Sequence, residues 1–507
     1  MILQSILIGL LAIAVVGSTL AVSDQRSAYR FFDPLIDAEQ AIERHFVDPL
    51  DREELQTAAI EGLIEALDDP YTVYVPATDR SDFDKDLLGE YVGIGAQITI
   101  REGWLTIVSP LDDSPALRAG LRPDDRVVAI DGEQIFEITT TGAAELLTGE
   151  SGTVVNLTIE RGEQTIELPV TRAFVKTRAL EGFHRNTGDG AWDHLVDPDR
   201  GIYYARLVGF TPGADRELRA LIESAPDLEG LILDLRNNPG GGLREAIGVA
   251  DLFLTEGGIV STKGRSFPTE RYDATAQAVL PEAPVVVLIN GVSASASEIV
   301  AGALSDNSRA VVLGERSYGK GSVQALIDLP NAPGAQLKLT TQRYYLPSGR
   351  SLQRMPGAIE WGVDPSPGFY VPMTAEQNAE AIRARLRESV IRPEGEEPAE
   401  HEGINWRNPD QVLEVLADAQ LTAAVKAISQ RLGTGEWVPV SEDEVPTTSE
   451  LAAEELAQIA ERRAEIVEEL RELARRAREL EGFAEPEDAD RTTAPDTPDD
   501  DAGSDSE

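Results

Sequence analysis

Apolar residues between Ala28 and Leu67 recur at the spacing of one face of an α-helix. This period predicts two amphipathic helices, divided near Asp48 and Pro49. The stretch from 92 to 170 has a different pattern, with short apolar runs separated by Gly, Pro and Asp. Its runs predict strands at 93–100, 104–110, 126–132 and 153–160, and short helices at 114–120 and 140–149.

Beyond Arg172, apolar runs typical of strands alternate with amphipathic stretches typical of helices. The pattern predicts strands at 201–210, 230–236 and 284–291, each followed by a helix, at 214–225, 242–254 and 295–306 respectively. Such alternation is typical of a βα-layered core whose strands are buried on both faces.

The last sixty residues contain a helical segment and an acidic tail. Apolar residues follow alternating steps of four and three from position 452 to 480, and Arg463 is the only polar residue in that series. This repeat is typical of a coiled coil or dimerisation helix, and a single amphipathic helix lying on the core fits it equally well. Residues 484–507 contain ten acidic residues and one arginine, which predicts a disordered tail.

Composition narrows the classes of function. A chain of 507 residues is expected to form two to four units. With 45 basic and 89 acidic residues, the formal charge is −44, which makes nucleic acid a poor partner. The chain has no cysteine, which excludes disulfides, thiolate nucleophiles and iron-sulfur clusters. None of its four histidines lies in an HExxH motif, which argues against zinc hydrolysis by that route.

The N-terminal segment indicates a compartment. Residues 1–23 carry no charged side chain, and Ile6 to Val16 is apolar apart from Gly9. Such a segment is a cleaved export signal or a retained membrane anchor, and its length fits both. We therefore expect an extracytoplasmic protein, periplasmic or in the cell envelope, that this segment can attach to the membrane.

One candidate for chemistry is the segment GVSASASEIVAGAL, residues 291–304. It follows an apolar strand and leads into an apolar helix, so a serine here lies at the helix N-terminus. Unpaired N–H groups at that end can stabilise an oxyanion. Taken alone, serines that simply cap the helix explain the segment at least as well.

A second candidate is Lys320, which Gly319 and Gly321 flank in a loop after another strand. Glycine neighbours suit a lysine that must fit into a tight site. Burial can lower the pKa of a lysine enough for its neutral amine to act as a base. A Ser-Lys pair of this kind needs no histidine.

Two glycine-rich segments each allow a second interpretation. Residues 314–321 match the first part of a phosphate-binding loop, but Gly321 stands where Ser or Thr is needed, and a strand pattern follows where a helix is needed. The segment LRNNPGGGL, residues 235–243, is either a turn or half of an oxyanion hole.

Four motifs resemble those of the carboxyl-terminal processing proteases, also called tail-specific proteases, a family of Ser-Lys serine peptidases. They occur in the family's order: LRNNPGG from 235, SASASEIVAGAL from 293, GERSYGKGSVQ from 314 and LKLTTQRYYLPSGRSLQ from 337. AIEGLIEALDDPYTVYV at 59–75 is similar to the family's N-terminal helix and turn. The resemblance covers about residues 30–430. It implies an α/β and α+β multidomain fold: a βα-layered, crotonase-like protease core, an inserted β-rich PDZ domain, and helical N- and C-terminal segments.

The resemblance also implies the roles of individual residues. The nucleophile falls on Ser295, the general base on Lys320 and the supporting glutamine on Gln324, four residues after the lysine. If that segment is extended, both side chains point to one face. The oxyanion hole would be the N–H of Ala296 and that of Gly241, with Gly240 as the alternative.

The same resemblance names the β-rich stretch a PDZ domain. Successive N–H groups at Gly93, Ile94 and Gly95 could hold a terminal carboxylate, while the next strand pairs with the peptide; a bulged strand start is the simpler alternative. Relatives commonly have DPHS where this chain has DPYT, residues 69–72. We expect this departure to lie far from the nucleophile and to leave the catalytic roles intact.

Together these patterns predict an exported serine endopeptidase that captures protein or peptide substrates by their free C-termini and needs no metal or organic cofactor. The alternative is a catalytically silent PDZ scaffold. A homodimer through the N-terminal helices or residues 449–480 fits the apolar patterns. The expected units are 1–23 signal or anchor, 27–87 helical region, 88–172 PDZ domain, 173–365 protease core, 366–448 core extension, 449–483 amphipathic or coiled-coil helix, and 484–507 tail.

Overall fold

The computed structural model describes residues 30–80, 83, 89–280, 282–355, 358–396, 401, 403–443 and 445–483. The predicted signal or anchor (1–23) and the predicted acidic tail (484–507) lie outside these residues. Within the described ranges, no helix combines the length and apolar character needed to cross a bilayer.

The N-terminal region contains two helices and a short strand, α1 (Asp33–His45), α2 (Arg52–Glu65) and β1 (Val73–Val75). The helices lie where the periodicity predicts them. Asp51 caps α2, because its carboxylate accepts hydrogen bonds from the N–H groups of Glu53 and Glu54. Neither helix buries a side chain against the described part of the chain.

The β-rich domain follows as a second unit. Its elements are β2 (Glu90–Gly93), β3 (Ala96–Arg101), β4 (Trp104–Pro110), α3 (Pro115–Ala119), β5 (Arg126–Ile130), β6 (Glu133–Gln134), α4 (Thr140–Leu147), β7 (Val154–Arg161), β8 (Gln164–Thr171) and β9 (Ala173–Lys176). The sheet has the order β3-β4-β5-β7-β8, with β6 beside β5. β2 and β9 pair with each other and form the stem that joins the domain to the core.

The βα-layered core contains the remaining strands. Its elements are β10 (Leu180–Glu181), β11 (His184–Arg185), β12 (Trp192–Asp193), β13 (Leu195–Asp197), β14 (Ile202–Leu207), α5 (Ala214–Ser224), β15 (Gly230–Asp234), α6 (Leu243–Asp251), β16 (Gly258–Gly264), β17 (Glu270–Asp273), β18 (Val285–Ile289), α7 (Ala296–Asp306), β19 (Val311–Gly314), β20 (Ser322–Asp328) and β21 (Gln336–Tyr345).

Four adjacent parallel strands, β14, β15, β18 and β19, form the centre of the core. Every residue of β15 and β18 is buried, as expected for strands covered on both faces. Helices α5, α6 and α7 contribute to the apolar cluster on one face. The predicted βα alternation is thus confirmed.

The C-terminal region adds four helices, α8 (Ala375–Glu388), α9 (Pro409–Leu416), α10 (Ala419–Thr434) and α11 (Thr448–Phe483). Leu421, Ala424 and Ile428 of α10 pack on the second face of the parallel sheet. The sequence analysis assigned no elements to residues 366–448, and it also left out β16 and β17.

A second sheet attaches the N-terminal region to the core. Its order is β1-β21-β16-β17, with β20 also paired to β21. Val73 to Val75 pair with Gln336 to Lys338 in antiparallel register. The chain segment just before β1 is therefore held beside the strands that follow Lys320.

Candidate active site

Ser295 occupies the N-cap of α7, after the turn that follows β18. Its backbone has φ +56° and ψ −111°, a conformation that costs a residue other than glycine about 1–3 kcal/mol. Ala296 is the first residue of the helix, so its N–H has no partner within the helix, and it finds no acceptor elsewhere in the described residues. An unpaired donor at the positive end of α7 thus lies beside the Ser295 hydroxyl.

The LRNNPGG loop follows β15 and lies against this turn, because the carboxyl ends of adjacent parallel strands meet at one edge of the sheet. The hydroxyl of Ser293 donates to the carbonyl of Leu235 (2.8 Å), and that of Ser297 donates to the carbonyl of Asn238 (2.9 Å). The two serines that flank Ser295 therefore fix the loop beside it.

The two candidate oxyanion donors in this loop differ in their hydrogen bonds. The N–H of Gly240 donates to the side chain of Asn238 at 2.9 Å, so it is occupied. The N–H of Gly241 has no acceptor among the described residues. Gly240 approaches Ser295 so closely that an added Cβ would lie 2.8 Å from the Ser295 Cβ and 3.0 Å from the Ala296 nitrogen.

The carboxylate of Glu298 joins the serine turn to the lysine loop. Its Oε2 accepts hydrogen bonds from the N–H groups of Ser295 and Lys320, both at 2.8 Å. Its Oε1 accepts from the Ser317 hydroxyl and the Gly319 N–H, both at 2.6 Å. Burial raises the pKa of Glu298, and these four hydrogen bonds oppose the rise. One side chain thus fixes the backbone of both candidate catalytic residues.

Lys320 lies between β19 and β20, and its amine reaches the ring of Tyr71. The Nζ atom is 4.8 Å from the ring centroid. Burial lowers the pKa of Lys320, the charge of Lys338 lowers it further, and the charges of Glu298 and Asp69 oppose this. The amine therefore becomes neutral more readily than that of an exposed lysine, which suits a general base.

The position of Tyr71 corrects one expectation. The DPYT segment is expected to lie far from the nucleophile and to leave the catalytic roles intact, but the pairing of β1 with β21 brings its Tyr71 to Lys320, the candidate base. The departure from DPHS therefore falls within the candidate site.

Gln324 lies on β20, where its Nε2 donates to the hydroxyls of Ser322 (2.8 Å) and Thr340 (3.1 Å). β20 begins only at Ser322, and its register with β21 shifts just before Gln324. The alternation argument that placed Gln324 and Lys320 on one face therefore does not apply. Among the described residues, no hydrogen bond joins Lys320 to Ser295 or to Gln324.

A second candidate site is a groove of about 440 Å³ in the β-rich domain. Apolar side chains line much of it, among them Tyr91, Ile94, Ala96, Ile98, Ala144 and Leu147. β3 is the terminal strand of its sheet, so its outer edge faces the groove without a paired strand in the described chain.

The predicted carboxylate-binding residues lie at the end of this groove. Gly93 ends β2 and pairs with Ala173 of β9. The N–H groups of Ile94 and Gly95 have no acceptor in the described residues, while their carbonyls accept from Ala116 and Leu111. Two adjacent free donors thus stand next to an open strand edge.

Comparison with known proteins identifies the family to which this chain belongs. Residues 201–366 match the peptidase family S41, residues 106–161 match the PDZ domain, and residues 18–78 match the "Activating protease CtpB N-terminal domain". A carboxy-terminal-processing protease of Bartonella bacilliformis is 35% identical over 390 residues, which cover 75% of this chain and 84% of that protein. The chain belongs to the carboxy-terminal-processing proteases of peptidase family S41.

The chain is also similar to two further proteins. The carboxy-terminal processing protease CtpA of Bacillus subtilis is 31% identical over 327 residues, which cover 64% of this chain and 67% of that protein. The solved structure of a photosystem II D1 C-terminal processing protease is 26% identical with a TM-score of 0.40, and the match covers 71% of this chain and 98% of that one. The chain is a serine peptidase with a PDZ domain, which acts on protein substrates, and the relatives give no support to the silent scaffold.

The structure of the peptidase adds residues that the sequence analysis missed. Glu298 has a sequence signal, because Ser295 and Glu298 have the S-x-x-E spacing of a capping box. Tyr344 had none; it lies on β21, where burial raises its pKa to about 12 and an interaction with Ser295 opposes the rise. Tyr71 has a sequence signal only as a departure from the DPHS motif.

Proposed function

We propose that this peptidase cleaves its substrates through an acyl-enzyme on Ser295, with Lys320 as the general base. Ser295 attacks the scissile carbonyl and gives its proton to the Lys320 amine, which passes it to the leaving amine. Water then releases the acyl group by the same proton path in reverse. The observation that carries this proposal is the single Glu298 carboxylate that holds the backbone of both residues.

The oxyanion of the tetrahedral intermediate is proposed to bind the N–H groups of Ala296 and Gly241. What supports this assignment is that both donors lack acceptors within the described chain, whereas the N–H of Gly240 is occupied. Preorganised donors of this kind are worth about 10²–10³ in rate each.

Gln324 is proposed to orient the Lys320 amine once substrate is bound. Its side chain now donates to Ser322 on β20 and Thr340 on β21, close to the lysine loop. For proton transfer, this proposal requires the lysine side chain to rotate so that its amine comes within hydrogen-bond distance of Ser295. We propose that substrate binding triggers this rotation, because the substrate fills the space next to the serine.

The PDZ groove is proposed to bind the substrate's C-terminus. The free N–H groups of Ile94 and Gly95 would hold the terminal carboxylate, with Gly93 completing the loop, and the open edge of β3 would pair with the peptide. The apolar lining favours a nonpolar final side chain. Specificity for protein tails follows from these two features together.

We also propose an extracytoplasmic location, with export or anchoring through residues 1–23. The support is the length and apolar character of that segment. Homodimerisation is proposed through exposed apolar helices, either α1 and α2 or α11.

Cleavage of an unfolded polypeptide tests the proposal. Ser295→Ala and Lys320→Ala should each lose at least about a thousandfold in kcat/KM, while Lys426→Ala, a change at an exposed lysine of α10, should match the wild type. A substrate with an amidated C-terminus should bind more weakly. Wild-type turnover in either active-site variant would refute the assignment, and tail binding without turnover in the wild type would favour the scaffold.

A further inference from the structure

The ring of Tyr71 lies against the amine of the proposed base. It belongs to the segment between α2 and β1, about 250 positions before Lys320 in the sequence, and its centroid lies 4.8 Å from the Nζ atom. Tyr71 is itself half-buried. The N-terminal region thus contributes one wall of the pocket around the lysine amine.

A short chain of hydrogen bonds fixes the backbone on both sides of this ring. The Thr72 hydroxyl donates to Asp69 (2.5 Å) and accepts from the N–H of Thr340 on β21 (3.1 Å). The Tyr71 N–H donates to the same Asp69 carboxylate at 3.3 Å. The backbone beside the ring is therefore held in place from β21.

The groups that face the Lys320 amine have opposing effects. Lys338 on β21 repels the ammonium form, and Glu298 on α7 and Asp69 before β1 attract it. Burial raises the pKa of the Tyr71 phenol, so this group adds no charge beside the amine at neutral pH. The ring face attracts the ammonium form, but burial has the largest influence on this lysine, so the ring's main effect is to exclude water.

We propose that Tyr71 is a positioning residue of the peptidase, whose ring covers the Lys320 amine and excludes water from it. This inference rests on the proposed role of Lys320 as the base. It assigns the N-terminal region a part in catalysis, through an aromatic wall and not through a proton donor. The hydroxyl of Tyr71 is therefore dispensable and the ring is not.

The pH profile of kcat/KM separates this role from a purely structural one. Tyr71→Ala should lose about tenfold or more at neutral pH, mainly in kcat, and its acid limb should move to higher pH because the exposed amine is harder to deprotonate. The loss should therefore shrink as the pH rises. Tyr71→Phe should stay within about twofold of the wild type across the range.

Tyr74→Ala is the matched control, because Tyr74 is a tyrosine on β1, three residues after Tyr71. It should keep the wild-type profile, and the two alanine variants should melt at similar temperatures. An equal loss at every pH in Tyr71→Ala would overturn the inference. A Tyr71→Phe enzyme as impaired as Tyr71→Ala would overturn it too, because the hydroxyl would then be the essential group.

A titration without turnover distinguishes failure of this inference from failure of the proposed function. The chain has six lysines, so ¹³C reductive methylation gives few resonances, and the one missing in Lys320→Arg identifies Lys320. In a Ser295→Ala background, Tyr71→Ala should raise the pKa of this amine relative to Tyr71→Phe. An unchanged pKa would refute the inference, whereas turnover retained by Lys320→Ala would refute the base assignment alone.

Discussion

Glu298 carries an unusual number of hydrogen bonds for one side chain, since both its oxygens accept two donors. A buried carboxylate is costly unless such donors compensate for the lost water. Here all four donors belong to the serine turn or the lysine loop. The position of the candidate nucleophile relative to the candidate base therefore depends on one buried carboxyl group.

Glu298→Gln should damage both stability and activity. In the variant, an amide NH₂ replaces one of the two carboxylate oxygens. The two groups that donate to that oxygen would then have no acceptor, and each unsatisfied buried donor costs about 1–3 kcal/mol. We expect a loss of about 2 kcal/mol or more in the free energy of unfolding, measured with urea, and a fall of at least about a hundredfold in kcat. Glu376→Gln, a change at an exposed glutamate in the first turn of α8, serves as control; wild-type kcat in Glu298→Gln would contradict the role.

Gly240 allows a second test at single-residue scale. Gly240→Ala would place a Cβ 2.8 Å from both the Ala294 carbonyl and the Ser295 Cβ, at a backbone φ of +106°. Gly132→Ala, with φ +84° and no atom within 4 Å, imposes a strained backbone without the clash. Gly132→Ala should lose about 1 kcal/mol of stability and Gly240→Ala more, and only Gly240→Ala should lose most of its kcat; equal activity in the two would contradict the close approach.

At the scale of elements, the sequence predicts the order of strands and helices wherever the apolar pattern extends over enough residues. The strands before Ser295 and the LRNNPGG loop are fully buried and apolar apart from the terminal Gly230 and Asp234, so their positions follow from pattern alone. β10 to β13 have two or three residues each, too few to show a period. Tyr71 and Tyr344 could not be assigned to the site because pairing across the second sheet, and not local sequence, brings them there.

The contact between the LRNNPGG loop and α10 shows how one element supports another. Arg236 donates through both terminal nitrogens to Asp418, the N-cap of α10, at 2.8 Å each. It also binds Asp234 at the end of β15. Burial alone would raise the pKa of Asp234, but the charge of Arg236 and its hydrogen bonds hold that pKa well below its usual range. The loop that supplies the Gly241 donor is thus anchored to the C-terminal region.

Substitutions at Asp418 should separate the ion pair from the helix cap. Asn can still accept the hydrogen bond that the Leu421 N–H donates to Asp418, so Asp418→Asn loses the charge while it keeps the cap. We expect a loss of about 2 kcal/mol for Asp418→Asn and about 1 kcal/mol more for Asp418→Ala, measured by urea unfolding. Equal losses in both variants would mean that the cap contributes nothing.

At the scale of the whole molecule, two sets of apolar side chains face solvent. One lies on α1 and α2 and includes Phe32, Leu35 and Ile36. The other lies along α11 and includes Leu456, Ile459, Ile466, Leu470 and Leu473. Exposed apolar stripes of this length usually mark an interface. Of the two interpretations of the α11 repeat, the exposure favours the coiled coil over a helix lying on the core.

The α11 stripe therefore predicts self-association that charge should abolish. Ile466→Asp with Leu470→Asp places two carboxylates in the seam, and each buried Leu or Ile contributes about 1.5–3 kcal/mol. We expect the dissociation constant of a dimer to rise at least about a hundredfold, measured by light scattering after size exclusion. The double variant Glu468→Ala with Arg475→Ala changes positions outside the seam and should leave the mass unchanged. A dimer that persists in the Asp variant would instead place the interface on α1 and α2, where Phe32→Asp should then disrupt it.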